Sequence, residues 1–242
     1  MTGQTGAAGA TRITVEQHDG HYRTGLTSGL LRAQVVHSRP GQCRIGLLAT
    51  TALLLGGDAV EVVINVGTGS DLVLFDVAGT TALDGRGRPA SWHLDIRLEE
   101  DARLTYSGEP FVVADGADVS RCLDLELAAG ATALVRDSLV LGRSGQSGGR
   151  VRNLTSVSLA GQPVLIEDQL LDAPDLRTQP GLLGDRRGID TIMSLGRPAR
   201  QVQSAHVSQF AVYAAAGTVT RFLGAGLAES PLHAEWRRLG RP

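Results

Sequence analysis

Histidine and cysteine are the residues of this chain best suited to hold a metal ion, and their spacing matches no common metal-binding pattern. Among the six histidines, His18 and His21 lie close together, whereas the two cysteines, Cys43 and Cys122, lie far apart. Structural metal sites usually need paired cysteines or a histidine pair on one helix face. We interpret the histidines as surface or loop residues, with weak binding of a divalent transition metal by His18 and His21 as the alternative. The sequence therefore predicts no fixed metal site.

Nucleophilic and nucleotide-dependent chemistry are equally poorly supported. All 23 basic residues are arginine, so the chain lacks the lysine that a P-loop or a Schiff-base enzyme requires. Ser144 and Ser147 lie in the glycine-rich stretch 142–149, which resembles a phosphate-binding loop in composition only. It lies between two strand-like segments with no helix to bind an anion, so we predict a flexible hairpin loop there. We predict neither catalytic nor cofactor-binding residues.

Carboxylates such as Asp58, Glu61, Glu109, Asp137 and Glu167 are scattered along the chain. Their positions do not indicate which of them converge for acid–base chemistry, and most such side chains face solvent. Asp58 is the exception, because it follows two glycines and directly precedes a strand. It therefore either caps a turn or lines a site.

Alternation of apolar and polar residues is the dominant structural pattern. It runs through Val60–Val66, Trp92–Leu98 and Leu123–Leu127, and a further strand is indicated at Val164–Leu171. This period of two is typical of strands with one buried face. We expect most residues between Val60 and Leu171 to be β-strand, with no helix longer than two or three turns.

The strands recur as a unit of strand, turn and strand. Turns follow Val66, Leu98 and Leu127, and the second strands of the units start roughly 30 residues apart, as in stacked repeats. Each unit can bury one face only by stacking on the next. The sequence predicts an all-β fold, a stacked β-helix-like or curled-sheet architecture, in a single domain over residues 1–242 with residues 1–10 disordered.

Three segments depart from this pattern. Leu47–Leu55 is either a short apolar helix or a buried strand, and Asp172–Arg200, rich in Pro, Gly, Asp and Arg, is predicted to be a long loop. Near the C-terminus, Ser230 is a candidate N-cap with Pro231 at the first helical position. We expect a short helix there that buries Trp236 against the β body.

Composition narrows the range of partners. The formal net charge of −2 offers no basic surface for nucleic acid. The longest apolar segment, Gly46–Leu55, is shorter than the ~20 residues that span a bilayer. The first ten residues lack the apolar segment of a signal peptide, and the two cysteines indicate no disulfide framework. We expect a cytoplasmic protein without membrane or nucleic-acid contacts.

Several short motifs, taken in order, resemble the urease accessory protein family called UreD or UreH. No single motif is specific, but their order and spacing hold over more than half of the chain. The motifs are Leu54-Leu55-Gly56-Gly57-Asp58 before an alternating strand, Val77-Ala78-Gly79-Thr80-Thr81-Ala82, Arg103–Pro110, Leu141-Gly142-Arg143 and Gly161–Asp168.

The chain departs from the family pattern at three places. Gly148-Gly149-Arg150 stands where the family usually has Gly-Glu, and Thr81-Ala82-Leu83 stands where Lys-Val-Tyr often follows the threonine. The order of the family's Pro-Glu pair is also reversed, so that Glu109 approximates its carboxylate. Any interface role of the family's residues at these positions is not carried over.

The resemblance implies a non-enzymatic scaffold for the maturation of nickel urease. Such a protein binds apo-urease subunits, recruits two further accessory proteins, one of them a GTPase, and transfers nickel transiently without a permanent cofactor. Asp58 and Glu109 are then candidate residues of a polar transfer route, although both could simply cap turns. The alternatives are a β-solenoid or cupin-like enzyme with an unrecognised carboxylate or histidine site, and a binding module unrelated to urease.

Overall fold

A computed structural model describes residues 9–172, 183–198 and 201–239. The strands are Thr11–His18 (β1), His21–Thr27 (β2), Leu31–Arg39 (β3), Gln42–Ala49 (β4), Ala59–Val66 (β5), Asp71–Asp76 (β6), Thr80–Ala82 (β7), Ala90–Leu98 (β8), Arg103–Ser107 (β9), Phe111–Val113 (β10), Asp118–Leu127 (β11), Thr132–Leu141 (β12), Arg150–Leu159 (β13), Gln162–Leu171 (β14), Gly188–Leu195 (β15), Val207–Ala211 (β16) and Gly217–Gly224 (β17). A 3₁₀ turn, Leu227–Glu229, and one α-helix, Leu232–Leu239 (α1), follow. The prediction of disorder covers residues 1–10, of which residues 1–8 lie outside the described residues.

The strands form two sheets. Sheet A has seven strands in the order β14-β13-β11-β8-β5-β1-β2. Sheet B has the order β16-β17-β15-β12-β9-β6-β4-β3, and beside this series the short strand β10 pairs with β12 and β7 pairs with β10. The large apolar cluster contains inward residues of both sheets, such as Ile64, Leu74, Ile96 and Leu125. The two sheets therefore enclose one hydrophobic core.

The chain passes repeatedly from one sheet to the other. From β5 to β13 it runs through sheets A and B in turn, and within each sheet the successive strands pair in parallel. Ala59, Ser91, Ser120 and Arg152 are aligned on neighbouring strands of sheet A. Each coil therefore stacks on the previous one in register, and the predicted all-β solenoid-like architecture is confirmed.

The turns from sheet A to sheet B also stack. Gly69, Asp101 and Gly130 occupy equivalent positions, each with a positive φ angle. The Gly69 amide donates to the Glu100 carbonyl, and the Asp101 amide donates to the Ala129 carbonyl. The left-handed conformation is open mainly to Gly, Asn and Asp. The turn geometry therefore explains why a glycine or an aspartate stands at this position in all three coils.

Between Val60 and Leu171, a range that the structure describes throughout, the ordered elements are all strands. The expectation for this region is therefore confirmed. The ambiguous segment Leu47–Leu55 is neither a helix nor one strand, because β4 ends at Ala49 and a loop with buried Leu53 and Leu54 follows. No helix of the described part has the length and apolar character needed to cross a membrane.

Two predictions about loops were wrong. Asp172–Arg200 was expected to be a long loop, but it contains β15, all eight residues of which are buried; residues 173–182 and 199–200 lie outside the described part. The inner face of β15 meets the core and its outer face meets α1, so no alternation marks it as a strand. The glycine-rich stretch 142–149 is not a hairpin loop, because it joins β12 of sheet B to β13 of sheet A.

The C-terminal helix covers the outer face of sheet B. Leu232 is fully buried in a small cluster with Leu134, Ile192 and Phe222, and the partly buried Trp236 packs against it. The side chain of Ser230 accepts a hydrogen bond from the Leu232 amide at 3.2 Å. The predicted N-cap is confirmed, whereas Trp236 is less buried than expected because it lies at the edge of a groove.

Asp190 on β15 links this helix to the sheet. Its carboxylate has no exposed surface and accepts two hydrogen bonds from the Arg136 guanidinium, at 3.0 and 2.9 Å. It also accepts hydrogen bonds from Ser138 at 3.0 Å and from Ser230 at 2.6 Å. A buried carboxylate is stable only when it is paired and hydrogen-bonded. Because one of the hydrogen bonds to Asp190 comes from Ser230, the N-cap residue, Asp190 fixes the start of the helix on the sheet.

We expect Asp190→Ala to lower the free energy of unfolding by about 3–5 kcal/mol, because it leaves the Arg136 charge buried and unpaired. Urea unfolding followed by circular dichroism measures this. Asp168→Ala is the matched control, since Asp168 forms a similar two-pronged pair with Arg152 in which both side chains are about half exposed. Equal losses in the two variants would contradict the role given to Asp190.

Candidate functional site

A group of polar side chains interrupts the apolar core between the sheets. We call this group the polar path. It runs from the end of β6 to the last strands of both sheets, and its members are Asp76, Tyr106, Arg121, Asp137, Asn153, Glu167, Thr191 and Arg221. Buried polar groups of this kind are costly unless they are paired, so their partners show how the path is held.

Arg121 and Asp137 join the two sheets at the centre of the path. The Arg121 guanidinium of β11 donates to both carboxylate oxygens of Asp137 on β12, at 2.6 and 3.3 Å. It also donates to Asn153 at 3.1 Å and lies 4.3 Å from the centre of the Phe111 ring. Arg121 is 9% exposed. Such a doubly hydrogen-bonded pair fixes the orientation of Asp137.

A second pair crosses between the sheets near their ends. Arg221 of β17 donates to both carboxylate oxygens of Glu167 on β14, at 3.0 and 2.8 Å, and to the Thr191 hydroxyl at 3.2 Å. The side chains of Arg221 and Glu167 are 17% and 20% exposed. This pair is therefore reachable from solvent, and so is the central pair through Asp137, whose side chain is 29% exposed.

Asp76 lies at the other end of the path, where β6 ends. Its carboxylate accepts the Tyr106 hydroxyl at 3.2 Å and the Glu109 amide at 3.1 Å. Burial raises the pKa of Asp76 to about 7, even though both hydrogen bonds act to lower it. Burial also raises the pKa of the Tyr106 phenol, and the charge of Asp76 adds to that effect. Asp76 is therefore poised to exchange a proton near neutral pH.

A cavity of about 40 Å³ adjoins Tyr106, Arg121, Asp137, Glu167 and Arg221. A water molecule needs roughly 10–15 Å³ of such space, so a few waters fit beside these groups. Carboxylate, hydroxyl and amide oxygens around water form a weak, open set of hard ligands for a divalent cation. The arrangement suits transient contact with a cation rather than a closed site.

The two carboxylates singled out from the sequence have different surroundings. Asp58 is half-buried and accepts the Leu55 amide at 3.0 Å, so it caps the turn before β5. Glu109 is exposed, and its amide donates to Asp76. Glu109, between β9 and β10, thus lies at the entrance to the polar path. Asp58 lies elsewhere, in the turn between β4 and β5.

The other candidate residues lie apart from the path. His18 and His21 face each other across the β1–β2 hairpin, and His18 lies 3.5 Å from Glu16. Ser144 and Ser147 lie in the connection between β12 and β13. Cys43 and Cys122 are both free thiols.

Sequence reasoning named Asp137 and Glu167 only as scattered carboxylates and missed Asp76 and Arg121. One signal was available for Arg121, because it occupies an inward position of an alternating strand, between Val119 and Leu123. A charge at such a position requires a buried partner. The identity of that partner was not accessible, since Asp137 belongs to the other sheet.

Comparison with known proteins gives a consistent result. A family model described as "UreD urease accessory protein" matches residues 8–233. Urease accessory protein UreD 1 of Streptomyces griseus subsp. griseus is 44% identical over 153 residues, which cover 63% of this chain and 60% of that protein. UreD of Streptomyces coelicolor is 31% identical over 72% of this chain and 70% of its own length. UreD of Frankia alni is 35% identical over 57% and 53%. The match thus spans less than two thirds of the first and third of these relatives.

The raised pKa of Asp76 predicts a pH dependence of stability. The folded protein keeps this proton to about pH 7, whereas an unfolded chain releases it near pH 3.9. The folded state binds more protons between these values, so this group makes the free energy of unfolding fall as the pH rises. Between pH 5 and pH 8 we expect wild type to lose about 2 kcal/mol more than Asp76→Asn, after discounting for partial exposure.

Urea unfolding at several pH values measures this difference. Asp168→Asn is the control, because Arg152 lowers the pKa of Asp168 and its titration falls below this pH range. Parallel pH curves for wild type and Asp76→Asn would show that Asp76 is ionised in the ordinary way.

Proposed function

Because the chain belongs to the UreD family of urease accessory proteins, we propose that it is a non-enzymatic scaffold that binds apo-urease and directs nickel into the urease metallocentre. In this role it recruits two further accessory proteins, one of them a GTPase, and works in the cytoplasm. The observation that carries the proposal is the family match over residues 8–233.

Within this role, the polar path is our candidate route for the nickel cargo. Its carboxylates, Asp76, Asp137 and Glu167, supply hard oxygen donors, and their bonds to neighbouring groups fix where each oxygen points. Weak oxygen contacts favour release as well as binding. A closed set of sulfur and nitrogen ligands would instead retain the ion.

Two arginines set a condition on such a route. Arg121 and Arg221 neutralise Asp137 and Glu167, so a divalent cation would have to displace a guanidinium or bind beside it through water. Within the part of the chain that the structure describes, Asp76 has no arginine among its hydrogen-bonding partners, which are Tyr106 and the Glu109 amide. We therefore place the first contact of the ion at Asp76, with Glu109 at the entrance and loss of the Asp76 proton on binding.

Asp58 stays a prediction for this route. Its carboxylate is occupied by the Leu55 amide, which favours a structural part in the Leu55–Asp58 turn. The Leu55 amide binds Oδ2, and a carboxylate can accept further bonds through its other oxygen. Substitution of Asp58 therefore decides between the two roles.

Deleting the gene should leave urease protein at its normal level but inactive and poor in nickel, because the apoenzyme is made without its metal. Urease activity, immunoblotting and nickel content of purified urease measure the three quantities. Restoring the gene on a plasmid is the control. Normal nickel content without the gene would contradict the proposal.

Substitutions test the route itself. Asp76→Asn keeps the hydrogen-bonding shape but removes the charge, and we expect at least a tenfold loss of urease activation with the complex intact. Glu109→Ala and Asp58→Ala are assayed beside it, and Asp118→Asn on the exposed start of β11 is the control.

Copurification of urease subunits with each variant separates transfer from assembly. Loss of activity with an intact complex supports the route, and loss of the complex assigns that residue to structure or to the interface. Full activity of Asp76→Asn would remove the polar path from the mechanism.

A further inference from the structure

A group of three side chains lies on the outer face of sheet A, away from the polar path. His93 of β8 and Cys122 of β11 are aligned on neighbouring strands, and Asp124 follows two positions later on the same face. The residues are far apart in sequence, and the in-register stacking of the coils brings them together. This placement explains why spacing along the chain gave no metal-binding pattern.

The ligand atoms of the three residues converge. The distance from His93 Nε2 to Asp124 Oδ2 is 2.8 Å, and the Cys122 thiol lies 3.4 Å from the same oxygen. All of the potential ligand atoms lie within 4.8 Å of one another. The side chains of His93 and Asp124 are 43% and 41% exposed, so an ion can reach them from solvent.

We infer that His93, Cys122 and Asp124 form a surface site for a borderline-soft divalent transition metal ion, with Zn²⁺ the best match. A nitrogen, a sulfur and an oxygen donor suit zinc and its neighbours, whereas magnesium and calcium take oxygen donors alone. Ligand bonds of about 2.0–2.3 Å in a tetrahedron require donor atoms about 3.5 Å apart. Small rotations of exposed side chains provide this spacing.

Neighbouring residues are compatible with a fourth ligand. Glu61 on β5 is aligned with His93 on the side opposite Cys122, and it is exposed. Its long side chain lies on the same face of sheet A. A water molecule is the alternative fourth ligand. The site is therefore open on its solvent side.

The same three residue types can also form a nucleophilic cysteine centre, but their arrangement here differs from one. In such a centre the histidine lies between the thiol and the carboxylate and takes the thiol proton. Here Asp124 lies between the other two and accepts from both.

Titration of the reduced full-length protein with Co²⁺ tests the inference, since thiolate-bound Co²⁺ has a characteristic charge-transfer absorption. We expect one such Co²⁺ ion per chain, and we expect Zn²⁺ to displace it. Cys122→Ser should abolish the absorption, and His93→Ala and Asp124→Ala should each weaken Co²⁺ binding at least tenfold. Cys43→Ser is the matched control, because the Cys43 thiol is buried in the core and should leave the signal unchanged.

Circular dichroism confirms that each variant is folded. Absence of the charge-transfer band in wild type, or its persistence in Cys122→Ser, would overturn the site. Unchanged affinity in either His93→Ala or Asp124→Ala would show that the replaced side chain is not a ligand, and would overturn the three-residue site as well. The assay uses no urease, so its outcome is independent of the role proposed above.

Discussion

Each coil of this protein must lie directly over the preceding one, because the strands of the stack find most of their main-chain partners in neighbouring coils. The aligned series Ala59, Ser91, Ser120 and Arg152 shows this constraint in sheet A. A shift of one residue in any strand would move its apolar side chains from the core to solvent. The period of two in the sequence, the equivalent turn positions and the common core all follow from this requirement.

The stack also decides where charges can lie. An inward charged residue meets the opposite sheet, and in two cases that sheet supplies its counterpart: Asp137 for Arg121, and Arg221 for Glu167. Replacing both members of such pairs by apolar residues often costs little stability. The needs of folding alone therefore do not explain these pairs, nor Asp76, whose hydrogen-bonding partners among the described residues are neutral.

Local pattern was sufficient to predict strands β5, β8, β11 and β14, the strand–turn–strand unit and the N-cap at Ser230, since each depends on residues adjacent in the chain. It failed for β15, whose two buried faces remove the alternation. It also failed to pair Arg121 with Asp137 or His93 with Cys122, because these contacts depend on how coils and sheets are superposed. The family resemblance suggested the proposed role, but the interior residues proposed to serve it came only from the structure.

In-register stacking has a consequence for how the chain acquires its fold. Each coil pairs residues about 30 positions apart. The entropy lost on closing such a loop opposes folding until the hydrogen bonds between the strands have formed. We therefore expect the chain to fold more slowly than helical proteins do. Once one coil has formed, its edge is a template, and later coils add by local steps. The same edge would accept a strand of another molecule. The antiparallel strands β2 and β14 at the two ends of sheet A break the parallel series and so limit growth into fibres.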